Sequence, residues 1–452
     1  MLPIPIVVTL ALLREGVRAL LFPLWTLAYL CVRRGVQRRA AEVLASNSGY
    51  DDDDTLATFV RAHPPAKDRA PHLFLSAGEV SGETHAARVL RALQAGASAP
   101  VRTTCFGGDT LQAAGGNVVV PLSGHAIMGL GGVLRALPFI LRTFATFLRV
   151  LREDRPSLVV LVDYPGFHLV MAAAARRHGV PVVHYIAPQY WAWAPWRMRR
   201  YRRCVDLCLA ILPFEPALFR SNGVDCTYVG HPSLDQLAAA PPDPAHVARE
   251  RASPTLCLLP GSRRRELDLH LGGMLGVVRR LRVADPDLRV VIAHRDAARE
   301  PLLREFLARE GATDIEFELG HVTEKLAGAQ VVLAKSGTGS LEAALLGTPT
   351  VVVYRLPPFF VFLKGVLLNV PFFAVANLIA GRAVVPERCF ADDAGWEWAA
   401  NEVQKLFRLG PDRLACLDRL ADVQHRLGEP GASERVAAFL VEALGVAAPS
   451  SP

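Results

Sequence analysis

The chain has 452 residues, with 50 Lys and Arg against 43 Asp and Glu, for a formal net charge of +7. That length predicts two or three domains with large cores, and so modest a positive balance fits nucleic acid, an anionic substrate or an anionic membrane until the placement of the arginines decides. The eight cysteines include no CxxC pair, so no disulfide framework and no metal site are expected, and the cysteines read as reduced core residues.

Residues 1–45 stand apart from the rest. Apolar runs over 1–13 and 19–32 are separated by Arg14, Glu15 and Arg18, and neither reaches the roughly 20 residues that span a bilayer. No positive charge precedes the first run and no small-residue cleavage site follows, which argues against a signal peptide. Trp25 and Tyr29 at headgroup depth, with Arg33, Arg34, Arg38 and Arg39 beyond them, suit an interfacial or re-entrant membrane anchor; a core or swapped helix is the alternative. Residues 46–70 are polar, carry the run Asp51 to Asp54 and end in prolines, as a linker does.

From residue 71 the pattern becomes strand, turn and helix in repetition, with strands expected at 73–75, 157–162, 180–185 and 207–212. Over 71–240 this predicts a doubly wound parallel sheet, whose ligands bind beyond the carboxyl ends of the strands. Gly78, Glu79, Ser81 and Gly82 follow the first strand, and Asp163 follows LVVLV. A carboxylate so placed can take a proton from an attacking hydroxyl, or it simply caps the next helix. Over 129–152, Arg135, Arg142 and Arg149 recur every seventh residue opposite an apolar side. That describes either a basic amphipathic helix on anionic lipid or a core helix with a solvated face. Residues 184–203 set aromatics beside five arginines. The aromatics precede most of the basic run and no RNA or DNA module pattern appears, so nucleic acid is not an expected partner. Trp191 and Trp193 read instead as substrate-loop aromatics next to a membrane-facing basic patch.

After a second linker a new series occupies 253–390. LCLLPGSRRRE puts Gly261, Ser262 and Arg263 between a strand and a helix that contains Glu266. The forked guanidinium of Arg263 suits diphosphate oxygens without a metal, against the alternative of an exposed basic loop. Residues 331–347, VVLAKSGTGSLEAALLG, read as a buried strand, a glycine-broken turn and a helix. Gly337 and Gly339 let the backbone approach a ligand, Ser336 or Thr338 can cap the helix, and its free N–H groups favour a diphosphate. Glu342, a turn further on, could accept hydrogen bonds from a ribose diol; ordinary turn glycines and a capping glutamate are the alternative. Residues 357–380 are apolar apart from Lys364, Asn369 and Asn377 and read as a buried or membrane-touching hairpin. Helices over 391–446 are expected to pack back or be swapped. Neither series carries G-x-G-x-x-G after its first strand, which disfavours an NAD enzyme.

Several strings together resemble one family, the lipid-A-disaccharide synthases. They are SAGEVSGE (76–83), Met128 with Gly129, DYPGF (163–167), HYIAPQYWAW (184–193), LPFEP (212–216), VGHP (229–232), LPGSRRRE (259–266), SGTGSLEAALLGTP (336–349) and NLIAGRAVVPE (377–387). The resemblance implies an α/β fold of the GT-B type, two Rossmann-like domains with an inter-domain cleft, here with an N-terminal apolar extension. It implies an inverting, metal-independent glycosyltransferase without a cofactor. The enzyme would join UDP-2,3-diacylglucosamine to 2,3-diacylglucosamine 1-phosphate as a peripheral protein on the cytoplasmic face of the inner membrane, and members of the family are similar in forming a homodimer with exchanged C-terminal segments. By this likeness Asp163 and Arg263 match essential residues, and Glu342 and Asn377 match donor-site positions. Gly166 and His168 stand where the family usually shows Asp and Asn, Glu83 where it shows Asp, Gln189 where it shows Ser, and Phe390 where it shows Gln. A UDP-sugar epimerase of the same fold and a non-catalytic membrane glycolipid-binding protein are the competing readings.

Overall fold

Short runs of Val, Leu and Ile without polar alternation bury both faces, and such runs form parallel strands covered by helices on each side. The computed structural model describes residues 2–46, 54–65, 69–125, 129–312 and 314–447. Its strands are β1 (His72–Ala77), β2 (Arg102–Gly107), β3 (Val118–Pro121), β4 (Leu158–Val162), β5 (Val182–Tyr185), β6 (Leu207–Ala210), β7 (Cys226–Tyr228), β8 (Thr255–Leu259), β9 (Arg289–Ala293), β10 (Glu316–Glu318), β11 (Val331–Lys335), β12 (Thr350–Arg355) and β13 (Glu387–Phe390). They form two all-parallel sheets, ordered β3-β2-β1-β4-β5-β6-β7 and β10-β9-β8-β11-β12-β13. These are the two Rossmann-like sheets expected from the sequence.

Strand order reverses once in each sheet, between β1 and β4 in the first and between β8 and β11 in the second. Connections leaving the carboxyl ends of two such neighbours go to opposite faces and open a crevice. β1 and β4 run paired as far as Ala77 and Val162, so Gly78 and Asp163 leave the sheet side by side. β8 and β11 run paired as far as Leu259 and Ala334, which brings the Gly261 and Gly337 loops together in the same way.

The chain divides into two units, one of residues 1–38, 48–235 and 429–452 and one of 39–47 and 236–428. In the first, Leu73, Leu75 and Val160 pack under Val89, Leu90 and Leu93 of the helix Val80–Gly96 and under Val436 and Leu440 of the helix Ala432–Ala443. Asp235 accepts from the N–H groups of Gly431, Ala432 and Ser433 at 2.7–2.9 Å. It thereby satisfies the orphan donors that begin the last helix. The core of the second unit gathers Cys257, Leu326, Val332 and Ala334. Of the helices expected over 391–446, Ala394–Phe407 and Pro411–Leu427 belong to the second unit and Ala432–Ala443 to the first.

Several expectations are corrected. The stretch taken as a plain linker over 46–70 carries a helix, Thr55–Ala62, because Leu56, Phe59 and Val60 share one face. Phe59 is buried there, edge-on to Phe439 at 5.4 Å. The two apolar runs near the N-terminus are parts of one 43-residue helix, Ile4–Ser46. Trp196 of the first unit sits between its Phe22 and Tyr29, and Arg200 pairs with its Glu15 at 2.8 Å. Leu20, Leu24, Trp25, Leu27 and Val32 stay exposed on it. Among the described residues no helix is long and apolar enough to cross a membrane. Residues 357–380 are not one hairpin: no residue of the helix Pro358–Leu367 is buried and Phe359, Phe360 and Phe362 face solvent, whereas the helix Val375–Ala380 is largely interior. Cysteine usage also departs at two places, since Cys31 lies exposed on the N-terminal helix and Cys389 is half-buried, while Cys105, Cys204, Cys208, Cys226, Cys257 and Cys416 are buried.

Candidate active site

At the end of β4 the backbone leaves the sheet through two consecutive left-handed residues, Asp163 (φ 53°) and Tyr164 (φ 51°), before the helix Pro165–Arg177 begins. For residues other than glycine that conformation costs about 1–3 kcal/mol each and persists only where neighbours enforce it. The neighbours are visible. The Asp163 N–H still donates to Tyr185 O at 2.9 Å, extending the ladder by one rung. Its carbonyl, turned out of the sheet, accepts from His168 Nδ1 at 2.7 Å and from His184 Nε2 at 3.0 Å.

The candidate residues after β1 surround this turn. A Cβ added to Gly78 would lie 2.2 Å from Cδ1 of Tyr164, so glycine is what admits that ring. A Cβ on Gly82 would lie 3.7 Å from Asp163 Cβ, which puts the carboxylate beside the first turn of the helix Val80–Gly96. Burial pushes the Asp163 carboxyl above the usual carboxylate range; the Tyr164 N–H opposes this and the nearby Glu79 adds to it. Such a carboxylate is a stronger base than one in water, which is the property a proton acceptor needs. Ser81 is exposed at the same helix start. Met128 lies outside the described residues.

Trp191 is not a substrate-loop residue in this structure. It is buried edge-on to Phe214, and its indole N–H donates to Glu215 Oε1 at 3.0 Å. Glu215 also accepts from the N–H groups of Ile211 and Leu212, and burial lifts its pKa to about 7. Trp193 is exposed, with the Arg197 guanidinium 5.1 Å over its ring. Arg135, Arg142 and Arg149 are solvent-facing while Phe144, Phe147 and Leu148 of the same helix are buried.

In the second unit, the loop after β8 turns at Gly261 (φ 110°), where a Cβ would also lie 2.6 Å from Glu266 Oε2. Glu266 accepts from the Ser262 N–H at 3.0 Å and pairs with Lys335 Nζ at 2.9 Å. Arg263 is exposed, 3.9 Å from the same carboxylate. The loop after β11 enters the helix Thr338–Leu345 through Gly337, and a Cβ on Gly339 would press on Leu259 at 3.1 Å. Neither Ser336 nor Thr338 caps this helix. The N-cap position is Gly337 with no side-chain cap, the Ser336 hydroxyl points to Phe373 O at 3.4 Å, and Ser340 Oγ donates to Gly337 O at 2.6 Å. The first N–H groups of the helix thus keep no side-chain acceptor, the condition that suits an anion.

Glu342 is ion-paired with Arg295 and lies 3.5 Å from the Thr323 hydroxyl. Asn377 is fully buried. Its amide accepts from the N–H groups of Val384 and Val385 at 2.7 and 2.9 Å and donates to Val385 O and Glu387 Oε2 at 3.0 and 3.1 Å. All four of its hydrogen-bonding capacities are used, so it shapes the loop rather than touching a ligand. Three of the family departures are also internal, His168 on the Asp163 carbonyl among them. Glu83 binds the Leu111 N–H at 2.9 Å and the Ser123 hydroxyl, and Phe390 stacks edge-on to Trp396 at 4.9 Å. Sequence reasoning missed Lys335, Arg295, Glu387, Ser76 and the two histidines on the Asp163 carbonyl. Lys335 and Glu387 are terminal residues of β11 and β13, Ser76 and His184 lie in β1 and β5, and Arg295 and His168 stand two and six residues beyond β9 and β4; position, and for His168 the departure from the family pattern, were the signals.

A family model described as lipid-A-disaccharide synthetase matches residues 73–406. Proteins named lipid-A-disaccharide synthase from Anaeromyxobacter dehalogenans and Myxococcus xanthus are each 36% identical, over 379 and 380 residues. They cover 83% of this chain and 97% and 98% of their own lengths. One from Solibacter usitatus is likewise 36% identical over 378 residues, 83% of this chain and 98% of that protein. Among solved structures, a putative UDP-N-acetylglucosamine 2-epimerase from Listeria monocytogenes superimposes with a TM-score of 0.57 at 14% identity, over 81% of this chain and 94% of that one. The glycotransferase of kitacinnamycin gives 0.53 at 17% identity, over 82% and 98%. At these identities the structural likeness speaks for the fold alone.

Proposed function

Since the chain belongs to the lipid-A-disaccharide synthase family, we propose that it transfers 2,3-diacylglucosamine from UDP-2,3-diacylglucosamine to 2,3-diacylglucosamine 1-phosphate, forming the lipid A disaccharide 1-phosphate and UDP. Asp163 takes the proton from the acceptor 6-hydroxyl as that oxygen attacks the anomeric carbon from the face opposite UDP, inverting it. The proton ends on the carboxylate and the bonding pair leaves with the diphosphate. Arg263 and the N–H groups that begin the helix Thr338–Leu345 stabilise the charge that develops there, without a metal. Gly261, Ser262, Ser336, Gly337, Thr338 and Gly339 form the main-chain cradle for that diphosphate. Glu342, released from Arg295, accepts from the ribose diol, and Asn377 holds the loop it is buried in.

The observation that carries the base assignment is a carboxylate at a topological switch point, in a strained turn, with its proton affinity raised by burial. The test is purified full-length protein with the two diacylated substrates, disaccharide read by mass and UDP by release. Asp163→Ala should lower turnover by about two to four decades with the fold intact by circular dichroism. Wild-type turnover in that variant overturns the assignment. Conversion of UDP-N-acetylglucosamine alone, with no lipid present, would favour an epimerase instead.

The exposed leucines and Trp25 of the helix Ile4–Ser46, and Phe359, Phe360 and Phe362, support a peripheral seat on the cytoplasmic face of an anionic membrane. Flotation of the full chain with phosphatidylglycerol vesicles reads this directly; protein that remains at the bottom of the gradient contradicts it.

A further inference from the structure

The Asp163 carbonyl is the point from which this inference starts. A buried carbonyl must find donors, and this one, displaced from the ladder by the left-handed turn, finds two imidazoles and, among the described residues, no main-chain N–H. A carbonyl can only accept, so both ring nitrogens that face it carry hydrogen: Nδ1 of His168 and Nε2 of His184. That assignment fixes the far side of each ring. His168 Nε2 is then an acceptor for the Ser76 hydroxyl at 2.9 Å, and His184 Nδ1 an acceptor for the Tyr201 hydroxyl at 3.0 Å. Two chains of hydrogen bonds, Ser76 to His168 and Tyr201 to His184, therefore end on one oxygen.

All four members are rigidly seated. Ser76 lies in β1 and His184 in β5, on either side of β4; His168 comes from the helix that follows Asp163 and Tyr201 from the helix Met198–Cys204. Each is almost wholly buried. Burial holds both imidazoles neutral, with pKa values lowered to about 3 for His168 and about 4 for His184. Both nitrogens of each ring are engaged inside the protein, so neither ring offers a free lone pair to the proton of the acceptor.

We propose that His168 and His184 are positioning residues of the glycosyl transfer, a pair of neutral donors that clamp the Asp163 carbonyl and so hold its left-handed turn and the aim of its carboxylate. This rests on the reading of Asp163 as the base. The clamp works through geometry: a carboxylate displaced by about 1 Å can lose on the order of 10²-fold in rate. The chemistry asks for an N–H donor at the His168 position and does not ask for an imidazole, so an asparagine there could reach the same carbonyl.

The experiment is a cycle on the full-length enzyme with both diacylated substrates. His168→Leu, which keeps bulk and removes the donor, should lower kcat by about 30- to 100-fold with both KM values within about threefold. His168→Asn should recover most of that loss. In an Asp163→Ala background, His168→Leu should cost less than about twofold, because a residue that acts only through another adds nothing once the other is gone. A His168→Leu enzyme that melts earlier yet keeps wild-type kcat would make the contact purely structural and overturn the proposal, as would full multiplicative loss in the double variant. If His168→Leu does not fold, Ser76→Ala leaves the ring and its Nδ1–H in place and removes the hydroxyl that anchors its Nε2. A fall in kcat of about three- to tenfold at constant KM is then expected, and no change overturns the clamp. Failure of the base reading itself looks different, since Asp163→Ala alone would then turn over normally.

Discussion

At the end of β4 the main chain turns through two left-handed residues and is held by neutral imidazoles in the interior. At the ends of β8 and β11 it turns through glycines and is held by ion pairs within reach of solvent, Glu266 with Lys335 and Glu342 with Arg295. Both places are switch points of a parallel sheet, so topology offers the same crevice twice. The difference lies in what each must do. A base needs a fixed aim and a raised proton affinity, which burial and neutral donors supply without adding a charge that would lower it. A diphosphate contact needs positive charge that can meet a charged ligand, so arginine and open helix N–H groups near water suit it.

The largest effect that separates the two regions should be acid lability of the first. His85, His168, His184 and His231, all in the first unit, are held neutral by burial, with pKa values lowered from 6.5 to about 4, 3, 4 and 4. The unfolded chain binds protons at these sites below pH 6.5 and the folded chain does not until near pH 4. The stability they contribute is therefore complete above about 6.5 and is lost as pH falls from there toward 4. Between pH 7.5 and 5.5 each gives up on the order of 1 kcal/mol. Asp163 and Glu215, whose folded pKa values are raised by burial, have the opposite sign and are two groups against four. Hydrogen exchange over this range should show protection falling in β1, β4 and β5 before β8 and β11; equal loss in both sheets would dissolve the contrast.

Next in size is the charge that the second region alone supplies. Arg263→Ala removes a forked donor from the departing diphosphate and should lower kcat by about 10²- to 10³-fold, the worth of one preorganised donor. Arg263→Lys keeps the charge without the fork and should recover only part of it. Since the side chain is exposed and its ion pair with Glu266 is long, at 3.9 Å, the melting temperature should not move. A stability loss comparable to the activity loss would mean that Arg263 is part of the scaffold.

Much of this contrast was legible in the sequence, and what was not has identifiable causes. Runs of β-branched residues that end in a glycine or an aspartate gave the strands and the loops beyond them, because parallel strands bury both faces and leave that signature. Asp163, Arg263 and Gly337 were found by standing just after such runs. The imidazole clamp was hidden because its members lie at positions 76, 168, 184 and 201, joined only once four elements are assembled. Trp191 looked like a loop aromatic until the fold brought Glu215 under its indole, 24 residues away. Asn377 carried the family likeness but its four partners, all within residues 384–387, are set by a local turn that composition does not reveal. The helix Thr55–Ala62 was outweighed by the aspartate run and prolines around it.

The smallest effect tests the strained turn itself, through two glycines on either side of it. Gly78 faces the Tyr164 ring so closely that a methyl group would sit 2.2 Å from it, while Gly166 has nothing within 4 Å of where its Cβ would be. Gly78→Ala must push Tyr164 away from its left-handed position and should cost about 1–3 kcal/mol, the usual penalty for overpacking, with a fall in kcat. Gly166→Ala places a better helix former in open space at the start of the helix Pro165–Arg177 and should leave stability within about 1 kcal/mol of the parent or raise it. Urea midpoints give both numbers. If the two variants are alike, the Tyr164 ring is free to move and the turn at Asp163 is held by less than the contacts around it imply; if only Gly78→Ala is impaired, the ring and the clamped carbonyl fix one geometry from opposite sides.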